Sequence, residues 1–159
     1  MIFVTVGSDV PFDRLMRVID EWVGATGRTD VFAQIGLTDY KPAHVSYCSL
    51  LEPAEFSKRF AGASVIIAHA GMGTILSALQ GGKPILVMPR KGSLGETRNE
   101  HQIATAKRLL ELGKVSVAFD ETELRSCLDR LDELKPQAKI TCFASEQLIS
   151  TLRDFIAKA

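Results

Sequence analysis

The sequence has few cysteines and no excess of charge of either sign. Its three cysteines, Cys48, Cys127 and Cys142, lie far apart and in no metal-ligand spacing, which indicates reduced thiols in a cytoplasmic protein. Lysine plus arginine and aspartate plus glutamate each number 19, so the formal net charge is zero. Nucleic-acid binders usually carry a basic excess that neutralises phosphates. The composition therefore argues against a nucleic-acid partner.

Long apolar runs and metal-binding patterns are also missing. The longest apolar runs, at residues 65–68 and 85–88, are far too short to cross a bilayer. No basic segment precedes the apolar residues 2–6, so we expect no signal peptide and only peripheral or partner-mediated membrane contact. The Asp-x-Asp pattern that would hold a divalent cation on a nucleotide diphosphate does not occur. We therefore expect neither a metal nor a cofactor.

The chain has the length and composition of one globular domain, with 159 residues of which 46% are hydrophobic and 24% charged. Short β-branched runs alternate with segments of helical periodicity, the pattern of an α/β fold with crossover helices. Strands are predicted near residues 2–6, 31–35, 45–47, 65–68, 85–87 and 115–117. Helices are predicted at residues 12–23, 54–61, 74–80, 99–112 and 121–131. This order predicts a Rossmann-like, doubly wound parallel sheet.

Residues 133–159 differ from the preceding 132 residues. Residues 133–141 lack clear periodicity and are interpreted as a connector, after which a final helix is predicted. The apolar side chains of this helix recur at helical spacing and form one stripe: Leu148, Ile149, Leu152, Phe155 and Ile156. The simpler interpretation is that the stripe packs against its own domain. The alternative is that it binds a partner protein.

A glycine-rich turn connects the fourth predicted strand to the next helix. This glycine turn is His69-Ala70-Gly71-Met72-Gly73-Thr74. Ligands of open α/β sheets bind at the carboxyl ends of strands, and a helix start offers free N–H groups and a positive dipole end to an anion. A diphosphate fits this arrangement, although glycines at such turns also serve tight packing. His69 is either a structural hydrogen-bonding group or a catalytic one.

A second glycine-containing loop follows the first predicted strand and opens toward the same edge of the sheet. This first-strand loop is Gly7-Ser8-Asp9. Its small side chains and free amides suit a phosphate or an acceptor hydroxyl. The alternative is an ordinary turn in which Ser8 or Asp9 caps the next helix.

A polar segment, residues 89–102, follows the fifth predicted strand and runs into an amphipathic helix. In this fifth-strand segment, Asn99, His101 and Gln102 suit hydrogen bonds to sugar or ribose hydroxyls, and Arg90 suits phosphate charge. A solvated loop is the alternative, but the position beside the glycine turn favours the functional interpretation. The core face of the helix is predicted to comprise Ile103, Ala106, Leu109 and Leu110.

Several motifs, in this order, resemble the C-terminal domain of family 28 glycosyltransferases. They are Val4-Thr5-Val6-Gly7-Ser8, the glycine turn, Gly82-Lys83-Pro84, Gly95-Glu96 through Asn99, and His101-Gln102. The resemblance covers roughly residues 1–131. It looks closest to stand-alone bacterial subunits of exopolysaccharide assembly and to the catalytic subunit of the eukaryotic two-part N-acetylglucosaminyltransferase of dolichol-linked oligosaccharide synthesis.

The resemblance implies one half of a GT-B glycosyltransferase, with residues 1–132 as a nucleotide-sugar-binding domain. It implies inverting transfer from a UDP-sugar to a lipid-linked acceptor. Because 159 residues hold only one of the two GT-B domains, a separate membrane-associated subunit is expected to bring the acceptor. The final helix is expected to dock against that subunit, which would recruit this cytoplasmic protein to the inner face of the membrane.

The residues and the resemblance together predict the site. The donor is expected to bind at Gly7, Ser8, His69, Ala70, Gly71, Met72, Gly73, Thr74, Ser77, Arg90, Glu96, Asn99, His101 and Gln102. Backbone amides of the glycine turn would stabilise the departing UDP. Asp9 and His69 are the candidates for the general base, with the partner as the alternative source.

The sequence departs from its relatives at one position. Relatives usually place an acidic residue in the helix after the glycine turn, where it contacts the ribose hydroxyls, whereas Ser77 occupies the matching position here. A hydroxyl binds more weakly than a carboxylate does. Glu96 is the candidate for a substitute contact.

Two other functions stay open at this point. Sugar-nucleotide epimerases share the two-domain architecture and a similar glycine turn, but they need both domains. A non-catalytic regulatory module that binds nucleotide sugars would keep the donor site and lack transfer.

Overall fold

Six parallel strands form one sheet in the computed structural model, which describes residues 1–137, 139–140 and 146–157. The strands are β1 (Ile2–Thr5), β2 (Val31–Gln34), β3 (Ser46–Cys48), β4 (Val65–His69), β5 (Ile85–Met88) and β6 (Ser116–Val117). Their order is β3-β2-β1-β4-β5-β6, and each neighbouring pair is parallel. The predicted Rossmann-like, doubly wound sheet is confirmed.

Helices connect and follow the strands. They are α1 (Asp13–Thr26), α2 (Pro53–Gly62), α3 (Met72–Gly81), α4 (His101–Glu111), α5 (Glu121–Leu128) and α6 (Glu146–Ala157). α3 begins before its predicted start at residue 74, because Gly71 already takes the extended N-cap conformation. α4 begins after its predicted start at residue 99, because the Asn99 side chain accepts the His101 N–H at 3.1 Å and still belongs to the loop. α5 ends before residue 131, where a short 3₁₀ turn, Leu131–Glu133, follows.

Two apolar clusters cover the two faces of the sheet. α1 and α5 pack on one face, and α2, α3 and α4 pack on the other. Side chains of β1 alternate between them, with Val4 in the first cluster and Phe3 in the second. Phe3 meets the rings of Phe56 and Phe60 edge-on, at centroid distances of 5.4 and 6.3 Å. Burial on both faces explains why the central strands are continuous apolar runs.

The Gly82-Lys83-Pro84 motif has a structural role here. Gly82 ends α3 in the left-handed conformation, with φ of 61°. Lys83 Nζ then donates to the carbonyl oxygens of Ala63, at 2.8 Å, and of Ala61. A lysine ammonium thus satisfies carbonyls at the carboxyl end of α2.

The buried face of α4 differs from its prediction. Ala106 is buried, but Ile103 and Leu109 are only half-buried and Leu110 is 45% exposed. Gln102 is buried instead, and its side-chain oxygen accepts the N–H of Arg90, two residues after β5. A polar residue at the first turn therefore replaces part of the expected apolar face.

α6 leaves its apolar stripe exposed. Leu152 is 52%, Phe155 72% and Ile156 71% exposed. The structure therefore contradicts the interpretation in which the stripe packs against its own domain. The end of the predicted connector, at Thr141, and Cys142 lie outside the described residues. Within the described part of the chain, no helix combines the length and the apolar character needed to span a bilayer.

Candidate functional site

A cleft opens at the carboxyl ends of β1, β4 and β5, which are neighbours in the sheet. The direction of chain progression reverses between β1 and β4, so α1 and α3 cover opposite faces and leave a crevice between the loops. The cleft has a volume of ≈ 1080 Å³. The first-strand loop, the glycine turn and the fifth-strand segment all line it.

Most of the residues predicted for the site lie in this lining. They are Gly7, Ser8, Asp9, His69, Gly71, Gly73, Thr74, Arg90, Glu96, Asn99, His101 and Gln102. Three predicted residues do not line the cleft. Ala70 is buried in the core, Met72 is 45% exposed outside the cleft, and the Ser77 hydroxyl donates to the Gly73 carbonyl of its own helix at 2.9 Å.

The glycine turn presents the amino end of α3 to the cleft without a side-chain cap. Gly71 is the N-cap residue and offers no side-chain acceptor, and no acidic residue occurs in the first turn. The first N–H groups of a helix have no acceptor within the helix itself. Those of Met72, Gly73 and Thr74 are therefore available to an anion, which the helix dipole also attracts.

Arg90 adds a positive charge to the same cleft. The residue is 4% exposed, and its Nη2 donates to the carbonyl oxygens of Val6, at 2.7 Å, and of Val10. Its Nε has no hydrogen-bond partner among the described residues, and none of their carboxylates forms a salt bridge with it. Burial lowers the pKa of Arg90. A buried cation held by neutral carbonyls favours an anionic ligand.

His69 lies between two glycines of different loops. A Cβ on Gly7, whose φ is +84°, would come within 2.9 Å of His69 Cε1, and a Cβ on Gly71 would overlap the ring at Nε2. His69 Nδ1 is buried. Burial, followed by the positive charge of Arg90, lowers the pKa of His69 from 6.5 to about 4. The imidazole is therefore neutral at pH 7.

The family of this domain follows from its sequence. A family model described as the glycosyltransferase family 28 C-terminal domain matches residues 1–156. The chain belongs to this family. The resemblance inferred from the motifs is thereby confirmed. No curated protein matches the chain.

Solved structures with this fold include several glycosyltransferases. The glycotransferase of kitacinnamycin aligns with a TM-score of 0.59 at 21% identity, covering 82% of this chain and 34% of that one. MurG of Acinetobacter baumannii aligns with a TM-score of 0.53 at 19% identity, over 82% of this chain and 40% of MurG. The NMR structure of ALG13 aligns with a TM-score of 0.59 at 20% identity, over 86% of this chain and 88% of ALG13.

At these low identities, the structural alignments establish the fold alone. The family 28 domain spans 34% of the kitacinnamycin enzyme, but nearly the full length of the ALG13 structure. The GT-B half-domain architecture predicted from the sequence is confirmed by these neighbours.

In this family 28 domain, both carboxylate oxygens of Glu96 already have protein partners. Oε1 accepts Arg14 Nε at 2.7 Å, and Oε2 accepts Arg14 Nη2 and the Lys91 N–H, both at 2.8 Å. A ribose hydroxyl would have to share these oxygens. The predicted contact of Glu96 with the donor stays a prediction.

Other polar residues of the family 28 cleft hold its loops in place. Asn99 Oδ1 contacts both the backbone N–H and the ring Nδ1 of His101, and Gln102 Oε1 accepts the Arg90 N–H at 3.1 Å. In the first-strand loop, the Ser8 hydroxyl donates to the exposed Asp9 carboxylate at 3.3 Å. These polar residues line the cleft and also hydrogen-bond one another or the nearby backbone.

Sequence reasoning missed Arg14. This residue lies on α1, 82 positions before its partner Glu96. It belongs to no motif, so nothing in the local sequence distinguishes it from other helix-surface cations. The cleft lining also includes Val10 and Thr97, which belong to no motif and were not predicted as site residues.

The described residues provide no evident metal site. No group of three or more His, Cys, Asp and Glu side chains is placed to hold a metal within that part of the chain. Cys48 and Cys127 are free thiols.

Proposed function

We propose that this chain is the donor-binding subunit of a two-component, inverting glycosyltransferase. The donor is a UDP-sugar, and the acceptor is lipid-linked and serves polysaccharide or glycolipid synthesis. A membrane-associated subunit brings the acceptor and recruits this cytoplasmic chain to the inner face of the membrane. Membership of family 28 and the cleft at the sheet edge support the proposal.

The observation that carries the proposal is that Arg90 and the uncapped amino end of α3 line the same cleft. A buried guanidinium and unfilled helix N–H groups both favour negative charge, and both face one cleft. Hydrogen-bonding side chains such as Asn99 and His101 line the same cleft. A nucleoside diphosphate sugar carries both the negative charge and the hydroxyl groups that these residues would bind.

Transfer proceeds by direct displacement at the anomeric carbon. The acceptor oxygen forms the new bond as the bond between the sugar and UDP breaks, which inverts the configuration. Negative charge grows on the departing diphosphate, where Arg90 and the amides of the glycine turn stabilise it. Groups fixed by the fold are effective for this purpose because they need no reorganisation during the reaction.

The general base is better assigned to Asp9 or to the partner than to His69. A general base must reach the acceptor hydroxyl, and the His69 ring is only partly exposed, with its Nδ1 buried. The pKa of His69 is about 4, so its neutral ring donates or accepts hydrogen bonds but takes up a proton weakly. Asp9 is exposed at the cleft and is open to an acceptor hydroxyl.

The substitution Gly73→Asp tests the phosphate site. A Cβ on Gly73 would meet no atom within 4 Å, so the new side chain fits. A carboxylate in the first turn stabilises a helix, so we expect the variant to fold. The same charge repels a diphosphate at the amino end of α3. We expect isothermal titration with UDP to show a loss of affinity of roughly tenfold or more, about 1.4 kcal/mol.

Gly73→Asn is the matched control, because it has nearly the same shape without the charge. We expect its UDP affinity to exceed that of Gly73→Asp clearly. Equal UDP affinity of Gly73→Asp and the wild type would show that the phosphates bind elsewhere. Titrations with UDP-glucose, UDP-galactose, UDP-glucuronate and UDP-N-acetylglucosamine then rank the sugars.

A further inference from the structure

The ion pair between Arg14 and Glu96 joins α1 to the fifth-strand segment. Arg14 Nε lies 2.7 Å from Glu96 Oε1, and Arg14 Nη2 lies 2.8 Å from Glu96 Oε2, so the two groups form parallel hydrogen bonds. The side chains are only 11% and 13% exposed. A bidentate, largely buried pair of this kind is more directional than an ion pair in open solvent.

The same pair holds the first half of the fifth-strand segment, at Pro89, Lys91 and Glu96. Arg14 Nη2 also donates to the carbonyl of Pro89, at 3.2 Å, where the segment leaves β5. Glu96 Oε2 accepts the Lys91 N–H at 2.8 Å, and the Glu96 N–H donates to the Lys91 carbonyl at 3.2 Å. Arg14 thereby fixes the conformation of a loop to which it is not close in sequence.

We propose that Arg14 is a positioning residue for donor binding and acts through Glu96. This inference rests on the proposed function. Arg14 does not line the cleft, whereas residues 95–99 of the loop that it holds all do. The Arg14 guanidinium therefore affects a bound donor through the position of the loop and not by contacting the donor.

Arg14 also compensates a negative charge beside an anion site. Glu96 lines the cleft together with Arg90, and the two charges act on each other. Removing one partner of a largely buried pair leaves the other charge uncompensated. Without Arg14, the Glu96 carboxylate would repel the diphosphate and compete with it for Arg90.

The test is isothermal titration of the full chain with UDP for Arg14→Met, Glu96→Gln and the double variant. We expect Arg14→Met to bind UDP roughly tenfold more weakly than the wild type does. The double variant should bind more tightly than Arg14→Met, because the stranded carboxylate is gone. Wild-type affinity in Arg14→Met, or additive losses in the double variant, would overturn the inference.

Two further variants separate positioning from a general loss of stability. Arg28→Met removes a comparable arginine, which pairs with Asp30 at 2.9 Å and Asp132 at 3.3 Å and lies outside the cleft lining. It should bind UDP as the wild type does, whatever its melting temperature. Arg14→Lys keeps the charge without the two-pronged geometry, and it should bind between the wild type and Arg14→Met.

Amide hydrogen exchange gives a readout that needs no ligand. The N–H groups of Lys91 and Glu96 are bonded within the clamped loop, so both should exchange roughly tenfold faster in Arg14→Met than in the wild type. Failure of the wild type to bind UDP would count against the donor assignment. Unchanged exchange at Lys91 and Glu96 would overturn the role of Arg14.

Discussion

At the residue scale, His69 is an imidazole that its surroundings keep without charge. Gly7 and Gly71 lack a Cβ and so leave room for the ring. Burial and then the positive charge of Arg90 oppose protonation of the imidazole. A diphosphate bound beside Arg90 would offset that charge. Under the proposed function, protonation of His69 should therefore depend on whether the donor is bound.

The depressed pKa of His69 predicts how stability depends on pH. Between pH 6.5 and about 4 the unfolded chain binds a proton at this position that the folded chain does not bind, so the free energy of unfolding falls as the pH falls. The full effect is about 3 kcal/mol. In His69→Asn this contribution is absent, and urea unfolding from pH 7.5 to 4.5 should show a shallower loss than in the wild type. Parallel curves for the two proteins would contradict the assignment.

At the scale of elements, the positions of the strands were predicted more accurately than the starts of the helices. Each strand lies within one residue of its predicted ends. β1, β4 and β5 are apolar runs buried on both faces, whereas β3 at the sheet edge is mostly exposed. Helix starts were less accurate. They depend on single bonds, such as the one from the His101 N–H to Asn99, that periodicity does not contain.

The candidate site was predictable where it consists of loops that follow neighbouring strands. Parallel strands end at one edge of a sheet, so the glycine turn and the fifth-strand segment had to meet there. The contact between Arg14 and Glu96 was not predictable, because it joins distant parts of the chain through tertiary packing alone. The stripe on α6 was recognised, but periodicity reports an apolar face without reporting what covers it.

The exposed stripe of α6 predicts a variant that folds but does not assemble. Leu152 and Phe155 are 52% and 72% exposed, so Leu152→Glu with Phe155→Glu should change the free energy of unfolding by less than about 1 kcal/mol. If the stripe binds the acceptor subunit, sugar transfer in the presence of membranes should be lost. Ser150→Glu, on the opposite side of the same helix, is the control and should keep transfer.

Thermal unfolding and a transfer assay with membranes from the source cells check both parts of this prediction. A large drop in melting temperature for the double variant would mean that the stripe packs within the chain in solution. Normal transfer by the double variant would place the partner interface on another surface.

At the scale of the whole molecule, the chain corresponds to one half of a GT-B fold. It aligns with 34% of the kitacinnamycin enzyme and 40% of MurG. Its cleft is built from loops, a strand end and helix starts at one edge of one sheet, and these hold the groups that favour an anion. Donor binding and sugar transfer should therefore be separable in this protein.

The isolated chain should bind UDP and fail to transfer sugar. At a UDP concentration of 100 times Kd, binding to the folded state alone adds about 2.7 kcal/mol, which should raise the melting temperature by roughly 5–10 °C. If the proposed acceptor subunit lies in the membrane, incorporation of labelled sugar into lipid should require membranes as well as the chain. Transfer by the chain alone to a soluble acceptor would remove the need for a partner. A rise in melting temperature with no transfer under any of these conditions would instead favour a regulatory module that senses nucleotide sugars.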